Sequence, residues 1–169
     1  MKILVFSDSH GRPDCIRRAI TAHQTDTDLI CFLGDGVRDI CEVLADFPAI
    51  PAVILQGNCD SPLACSACGI EAPEEEVRTL DGVKILMMHG HTAGVKYGPE
   101  DLLCRASKAG AAIALYGHTH TPENQSYRAA FGPNERILLF NPGSIGHYPH
   151  SYGVIYIVNG QFSAAHGEI

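Results

Sequence analysis

No apolar run in this sequence reaches the roughly 18 to 20 residues that a bilayer-crossing helix needs, so no membrane-embedded helix is expected. Nor does the layout of a signal peptide precede the first strand-like segment, which begins at Lys2. A disulfide framework is also missing: the seven cysteines are an odd number scattered through helix-like and strand-like segments, which suits a reducing compartment and predicts no structural disulfides. Basic residues are scarce. Twelve Lys and Arg against nineteen Asp and Glu leave a net charge of -7, too acidic for a large nucleic-acid-binding surface built on phosphate contacts. There is no internal repeat, low-complexity tract or linker. These absences point to a soluble, cytoplasmic chain without a membrane partner, and they leave a homo-oligomer open.

What is present is a well-filled core. With 169 residues and 46% hydrophobic content, residues 1–169 are expected to form one domain. Lys2 to Ser7 is an apolar run of strand length, and Arg12 to Gln24 follows with Cys15, Ile16, Ala19 and Ile20 at helical spacing. The alternation repeats: a strand over Asp28 to Leu33, a helix over Val37 to Phe47, and a strand over Ala52 to Leu55. This β-α-β-α-β pattern predicts a parallel sheet buried on both faces. Residues 60–75, rich in Pro, Ala, Ser and Glu, read as an irregular connection. Asp81-Gly82 between Glu76 to Leu80 and Val83 to Met88 is a hairpin signal. A helix over Pro99 to Ala109, a strand over Ala111 to Tyr116, and strands near 124–130, 137–140, 153–158 and 161–166 complete the expectation.

The polar clusters all stand where buried strands should end. They are Asp8-Ser9-His10, Gly34-Asp35, Gly57-Asn58-Cys59-Asp60, His89-Gly90-His91 and Gly117-His118-Thr119-His120. Parallel strands gather their carboxyl ends at one edge, so Asp8, His10, Asp35, Asn58, His89, His118 and His120 can converge there. Carboxylates, imidazoles and an amide oxygen make a mixed nitrogen and oxygen ligand set. Such a set suits Mn, Fe, Zn, Ni or Co better than Ca or Mg.

In this order over residues 8–120, Asp-x-His, Gly-Asp, Gly-Asn-x-Asp, His-Gly-His and Gly-His-x-His resemble the calcineurin-like metallophosphoesterase superfamily. The compact length and Asn141-Pro142-Gly143-Ser144 make the chain similar to its small bacterial and archaeal phosphodiesterase branch. That resemblance implies an α/β fold, a four-layer α-β-β-α sandwich of two packed mixed β-sheets flanked by helices. It implies two divalent metal ions, manganese first among them, with Asp8, His10 and His120 on one, Asn58, His89 and His118 on the other, and Asp35 bridging. The reaction it implies is hydrolysis of a small-molecule or generic phosphodiester by a metal-bridging hydroxide. Asp60 is a candidate to hold the second ring nitrogen of a ligand histidine.

One departure bears on catalysis. Many relatives carry a histidine after the ligand asparagine, where it contacts the phosphoryl group or protonates the leaving oxygen; this chain has Cys59. A thiol is a poorer acid at neutral pH, so the catalytic set is Asp35, Asn58 and His91, with His91 as substitute proton source. Two other functions fit the same fold: a non-catalytic protein-interaction scaffold, resembling the retromer subunit, or a phosphomonoesterase or nucleotide pyrophosphatase. Elsewhere the simpler readings hold. Arg12 is a helix-start arginine that could meet a phosphate, His147 and His150 are loop histidines near the cleft, Cys65 and Cys68 are semi-buried thiols, and Glu74 to Glu76 is a solvated strand entrance.

Overall fold

The computed structural model describes residues 1–169, the side chain at position 64 apart. Ten strands form two five-stranded sheets. The first contains β1 (Lys2–Phe6), β2 (Leu29–Phe32), β3 (Ala52–Ile54), β9 (Ser151–Val158) and β10 (Gln161–Glu168), in the order β10-β9-β1-β2-β3. The second contains β4 (Glu75–Leu80), β5 (Val83–Met88), β6 (Ile113–Leu115), β7 (Glu123–Arg128) and β8 (Arg136–Asn141), in the order β4-β5-β6-β8-β7. Both are mixed sheets with three parallel strands: β1-β2-β3, which run out to one edge of the first, and β5-β6-β8 at the centre of the second.

Period-2 alternation along β1 assigns the layers. Ile3 and Val5 point between the sheets, where they meet Ile85, Met87, Ile113, Leu115 and Phe140. Leu4 and Phe6 point the other way, against Ile16, Ala19 and Ile20 of α1 (Pro13–His23) and Ile40 and Val43 of α2 (Val37–Leu44). On the far side, Leu102 and Ala106 of α4 (Glu100–Ala109) cover Leu86, Met88 and Ala114. The order is therefore helix, sheet, sheet, helix, as the sequence predicts. No helix among the described residues is long and apolar enough to cross a membrane.

Turn chemistry fixes two of the three hairpins, the third being β7-β8. Asp81 and Gly82 have φ of 44° and 83°, and Asn159 and Gly160 have φ of 51° and 77°. Each pair is a two-residue turn whose twist matches its strands, setting Leu80 opposite Val83 and Val158 opposite Gln161. Gly110 ends α4 at φ 67°, its N–H bonded to Ala106 and Ser107 carbonyls.

Three expectations are corrected. Residues 60–75 are not wholly irregular: they contain α3 (Pro62–Ala67), a helix of six residues that shows no full amphipathic repeat in sequence. The second helix stops at Leu44 instead of Phe47, because Asp46 and Phe47 donate to the carbonyls three residues back in a tightening turn before Pro48. A 3-10 turn at His91–Ala93, where the sequence predicts no element, begins three residues after β5 ends.

Candidate metal centre

Parallel strands from both sheets end at one edge. β1 leads to Asp8 and His10, β2 to Asp35, β3 to Asn58 and Cys59, β5 to His89 and His91, β6 to His118 and His120, and β8 to Ser144 and His147. Backbone bonds lock these loops together: Asp8 N–H donates to Gly34 O at 2.9 Å, Gly117 N–H to His89 O at 2.9 Å, and Gly146 N–H to Asp8 O at 3.1 Å.

Five of the seven expected ligands adopt the left-handed backbone: Asp8, His10, Asp35, His118 and His120, at φ between 46° and 65°. Asp and His tolerate that region better than most residues, yet it still costs energy and turns each side chain inward at the strand end. Gly57 must be glycine for a related reason. A Cβ there would lie 2.1 Å from Asp35 Oδ1 and 2.5 Å from Asp35 N.

The side chains converge closely. His120 Nε2 is 3.2 Å from Asp8 Oδ1 and 3.2 Å from His10 Nε2; His10 Nε2 is 3.7 Å from Asp8 Oδ1 and 3.9 Å from Asp35 Oδ2. On the other side of Asp35, His89 Nε2 is 3.4 Å from its Oδ2, and His118 joins these two in a group whose ligand atoms lie within 4.8 Å. Two donors held about 2.1 Å from one ion are themselves separated by about 3.0 to 3.4 Å, so the shortest of these contacts have the length that edges of a coordination polyhedron would have. Burial supports the fit. Asp8 Oδ1 and His89 Nε2 are buried with no hydrogen-bond partner, a costly condition that a cation bound at each would relieve.

Electrostatics prepares the donors. Burial would raise the Asp35 carboxyl, but the His89 side chain and the Cys59 backbone and thiol outweigh it and hold the group well below the usual carboxylate range. His89 is pushed down by burial and up by Asp35 and Asp8, with a net rise; its Nδ1 is 2.8 Å from Leu33 O, which directs Nε2 at the cluster. His118 is lowered to about 4, mainly by burial and then by His89 and Lys96, so it is neutral at pH 7. Burial likewise lowers His120, helped by His10, His147 and Lys96. His147 reaches the cluster from the loop that the sequence places near the cleft, whereas Lys96 carries no sequence signal of this proximity.

The remaining predicted residues divide. Asn58 is exposed on the rim, its Nδ2 donating to Cys59 Sγ at 3.3 Å, which leaves its amide oxygen for coordination. His91 packs its ring 5.4 Å from His89 and 6.1 Å from His118, with a buried, unpartnered Nδ1 and with Nε2 3.9 Å from Glu74 Oε1. Cys59 is close enough to Asp35 that hydrogen bonding to the carboxylate, then burial, pushes its thiol up to about 11. Asp60 does not hold a ligand histidine. Its carboxylate instead accepts backbone N–H groups of Asp35, Gly36, Val37 and Gly57 at 2.7 to 2.9 Å, because those donors converge where two loops meet. The histidine anchor it was expected to supply comes to His89 from the Leu33 carbonyl. Beside the cluster opens a cleft of about 410 Å³ lined by His10, Asp35, Arg38, Asp39 and Cys59 among others.

The calcineurin-like phosphoesterase superfamily domain matches residues 1–160. The chain belongs to that superfamily. A probable metallophosphoesterase of Bacillus subtilis is 30% identical over 146 residues, covering 86% of this chain and 75% of that protein. One from Methanocaldococcus jannaschii is 29% identical over 147 residues, covering 85% and 68%. Among solved structures, a Streptococcus pneumoniae protein described as a predicted phosphoesterase superposes with a TM-score of 0.75 at 25% identity, covering 99% of this chain and 88% of that one. A phosphoesterase from Escherichia coli superposes with a TM-score of 0.66 at 26% identity, covering 91% and 87%. Within this superfamily the chain is a phosphoester hydrolase, with clusters of side chains able to hold divalent metal ions.

Proposed function

We propose that this protein is a dinuclear-metal-dependent phosphodiesterase, with two divalent ions, manganese first and Fe, Ni, Zn or Co compatible. The observation that carries the reading is the position of Asp35. One of its oxygens lies 3.9 Å from His10 and 3.4 Å from His89, within reach of a histidine from each ligand set, as a bridging carboxylate must be. Asp8, His10 and His120 serve one ion; Asn58, His89 and His118 serve the second. When bound, the pair supplies Lewis acidity towards the phosphoryl oxygens and a hydroxide nucleophile at neutral pH.

The chain's own groups do the rest. Leu33 O and the Asp8 bond from His118 N–H, at 2.8 and 3.0 Å, hold ligand and loop so that little reorganisation accompanies reaction. Lys96 and Arg38 offer positive charge near the cluster and along the cleft, where an anionic ester would enter. Cys59, protonated at neutral pH, donates a weak hydrogen bond at the place where a stronger acid would assist departure. Esters with good leaving groups are therefore the favoured substrates, and His91 is the nearby imidazole that can supply a proton to poorer ones.

A scaffold on the same fold is the competing reading. It is favoured by the superposition on vacuolar protein sorting 29 of Cryptosporidium parvum, with a TM-score of 0.68 at 20% identity over 99% of this chain and 97% of that one. At that identity only the fold is shared, and all seven ligand positions are filled here. The test is elemental analysis of the purified protein with hydrolysis of an activated aryl phosphodiester and the matching monoester. Activity on the diester that vanishes on chelation and returns with added metal supports the proposal; faster monoester turnover refutes the diester assignment, and metal-independent silence favours the scaffold.

A further inference from the structure

We propose that His147 is an eighth protein ligand, a third imidazole on the ion served by Asp8, His10 and His120; this rests on the metal-centre reading above. The ligand atoms of His10, His120 and His147 all lie within 4.8 Å of one another. The His147 ring stacks on His120 with centroids 5.0 Å apart, and meets His10 edge-on at 5.3 Å. Two members of the group border Asp8 Oδ1, the buried oxygen without a hydrogen-bond partner, which lies 3.2 Å from His120 Nε2 and 3.7 Å from His10 Nε2.

The hydrogen-bond network selects the tautomer. Ser144 Oγ donates its only hydrogen to Asp8 O at 2.7 Å, and its lone pairs accept from the His147 backbone N–H at 3.1 Å. His147 Nδ1 stands 3.0 Å from the same oxygen, so it must be the protonated nitrogen and must donate. That leaves Nε2 with its lone pair free, the form in which a histidine binds metal and whose orientation a hydroxyl or carbonyl partner fixes. The same network argues against His147 as a proton donor, since a neutral ring held this way has no hydrogen on Nε2. The serine is anchored on the backbone of the strand end that presents Asp8. Ligand and ligand support are thus built from one connected unit.

A consequence is asymmetry between the two ions. The first gains three nitrogen donors and Asp8, while the second keeps its exposed amide from Asn58 and exchanges more readily. The experiment titrates metal-free protein with Co2+, following visible absorption and competing against a chromophoric chelator, for wild type, His147→Ala, His147→Gln and Ser144→Ala. His147→Ala and His147→Gln are expected to weaken one of two ions by at least tenfold and change its absorption, leaving the other unaltered. Ser144→Ala should weaken the same ion by a smaller factor, in line with the about ten- to hundredfold effects of ligand-orienting groups. Circular dichroism of the metal-free variants checks folding, and the glutamine variant carries the test should the alanine variant misfold. If wild type binds two ions and both histidine variants bind them equally tightly with unchanged spectra, the eighth-ligand assignment is overturned, including where only KM rises. If wild type binds no metal, the metal-centre reading itself falls.

Discussion

Asp60 ties the candidate centre to the fold, and its replacement is the sharpest test of how Asp35 is held. Its Oδ1 accepts from Gly36 and Val37 at 2.9 Å each; its Oδ2 accepts from Asp35 at 2.7 Å and Gly57 at 2.9 Å. A hydrogen bond to a charged group contributes about 1.5 to 3 kcal/mol. Four bonds on one half-buried carboxylate are not additive, and water can reach some of the freed donors, so counting one bond per oxygen gives about 3 to 6 kcal/mol for Asp60→Ala. That is a large part of the about 5 to 15 kcal/mol available to a typical domain. Asp60→Asn discriminates further. Whichever way the amide is flipped, its NH2 faces two N–H donors, so the isosteric change should still cost about 2 kcal/mol. Urea denaturation of metal-free protein measures both, with the slope expected to stay constant and the midpoint to fall. An asparagine variant within about 0.5 kcal/mol of wild type, below the usual net value of one hydrogen bond, would refute the double-acceptor account.

Other outcomes follow from the same geometry. Asp35→Asn removes the charge shared by both halves and should lower occupancy at both ions and abolish hydrolysis, checked by elemental analysis and turnover; near-normal turnover contradicts the bridging role. Gly57→Ala drives a methyl to 2.1 Å from Asp35 Oδ1 and should cost about 1 to 3 kcal/mol along with metal affinity, read by urea denaturation and chelator competition. Metal affinity should climb as pH rises through the elevated pKa of His89, because the ion must displace a proton from Nε2; calorimetry in buffers of different ionisation enthalpy counts the proton released. In metal-free protein the signs oppose. The raised His89 contributes stability fully present below about 6.5 and lost as pH rises, and the depressed Asp35 contributes stability present above about 3.9 and lost as pH falls, so their joint contribution peaks between those values. A pH series of thermal unfolding in chelator, carried out on wild type and His89→Ala, isolates that contribution; a difference that grows above pH 7 contradicts it.

The strands and their terminal clusters were legible because burial on both faces demands unbroken apolar runs, such as Lys2–Phe6 and Leu29–Phe32, and the polar residues after them are conspicuous. Two hairpin turns were legible through Asp81-Gly82 and Asn159-Gly160, whose backbone needs few other residues can meet. What escaped depends on contacts remote in sequence. Asp60 reads as a ligand's helper from its position beside Asn58, but its partners are amides on a loop some 23 to 25 residues away, and amides leave no mark in sequence. His147 looks like any loop histidine until Ser144, seated on an Asp8 carbonyl 136 residues distant, turns its ring. The short α3 escaped because six residues cannot show a period.

The left-handed conformation shared by Asp8, His10, Asp35, His118 and His120 means that this edge is held against the chain's own preference. Glycine at such a place relieves strain of order 1 kcal/mol per residue, although at Asp8 and Asp35 the backbone N–H bonds that the carboxylates accept from His118 and Cys59 offset that relief. Selection for hydrolysis is then the main force keeping the strained histidines, and a lineage released from it would drift towards an inert sandwich without ever having to unfold.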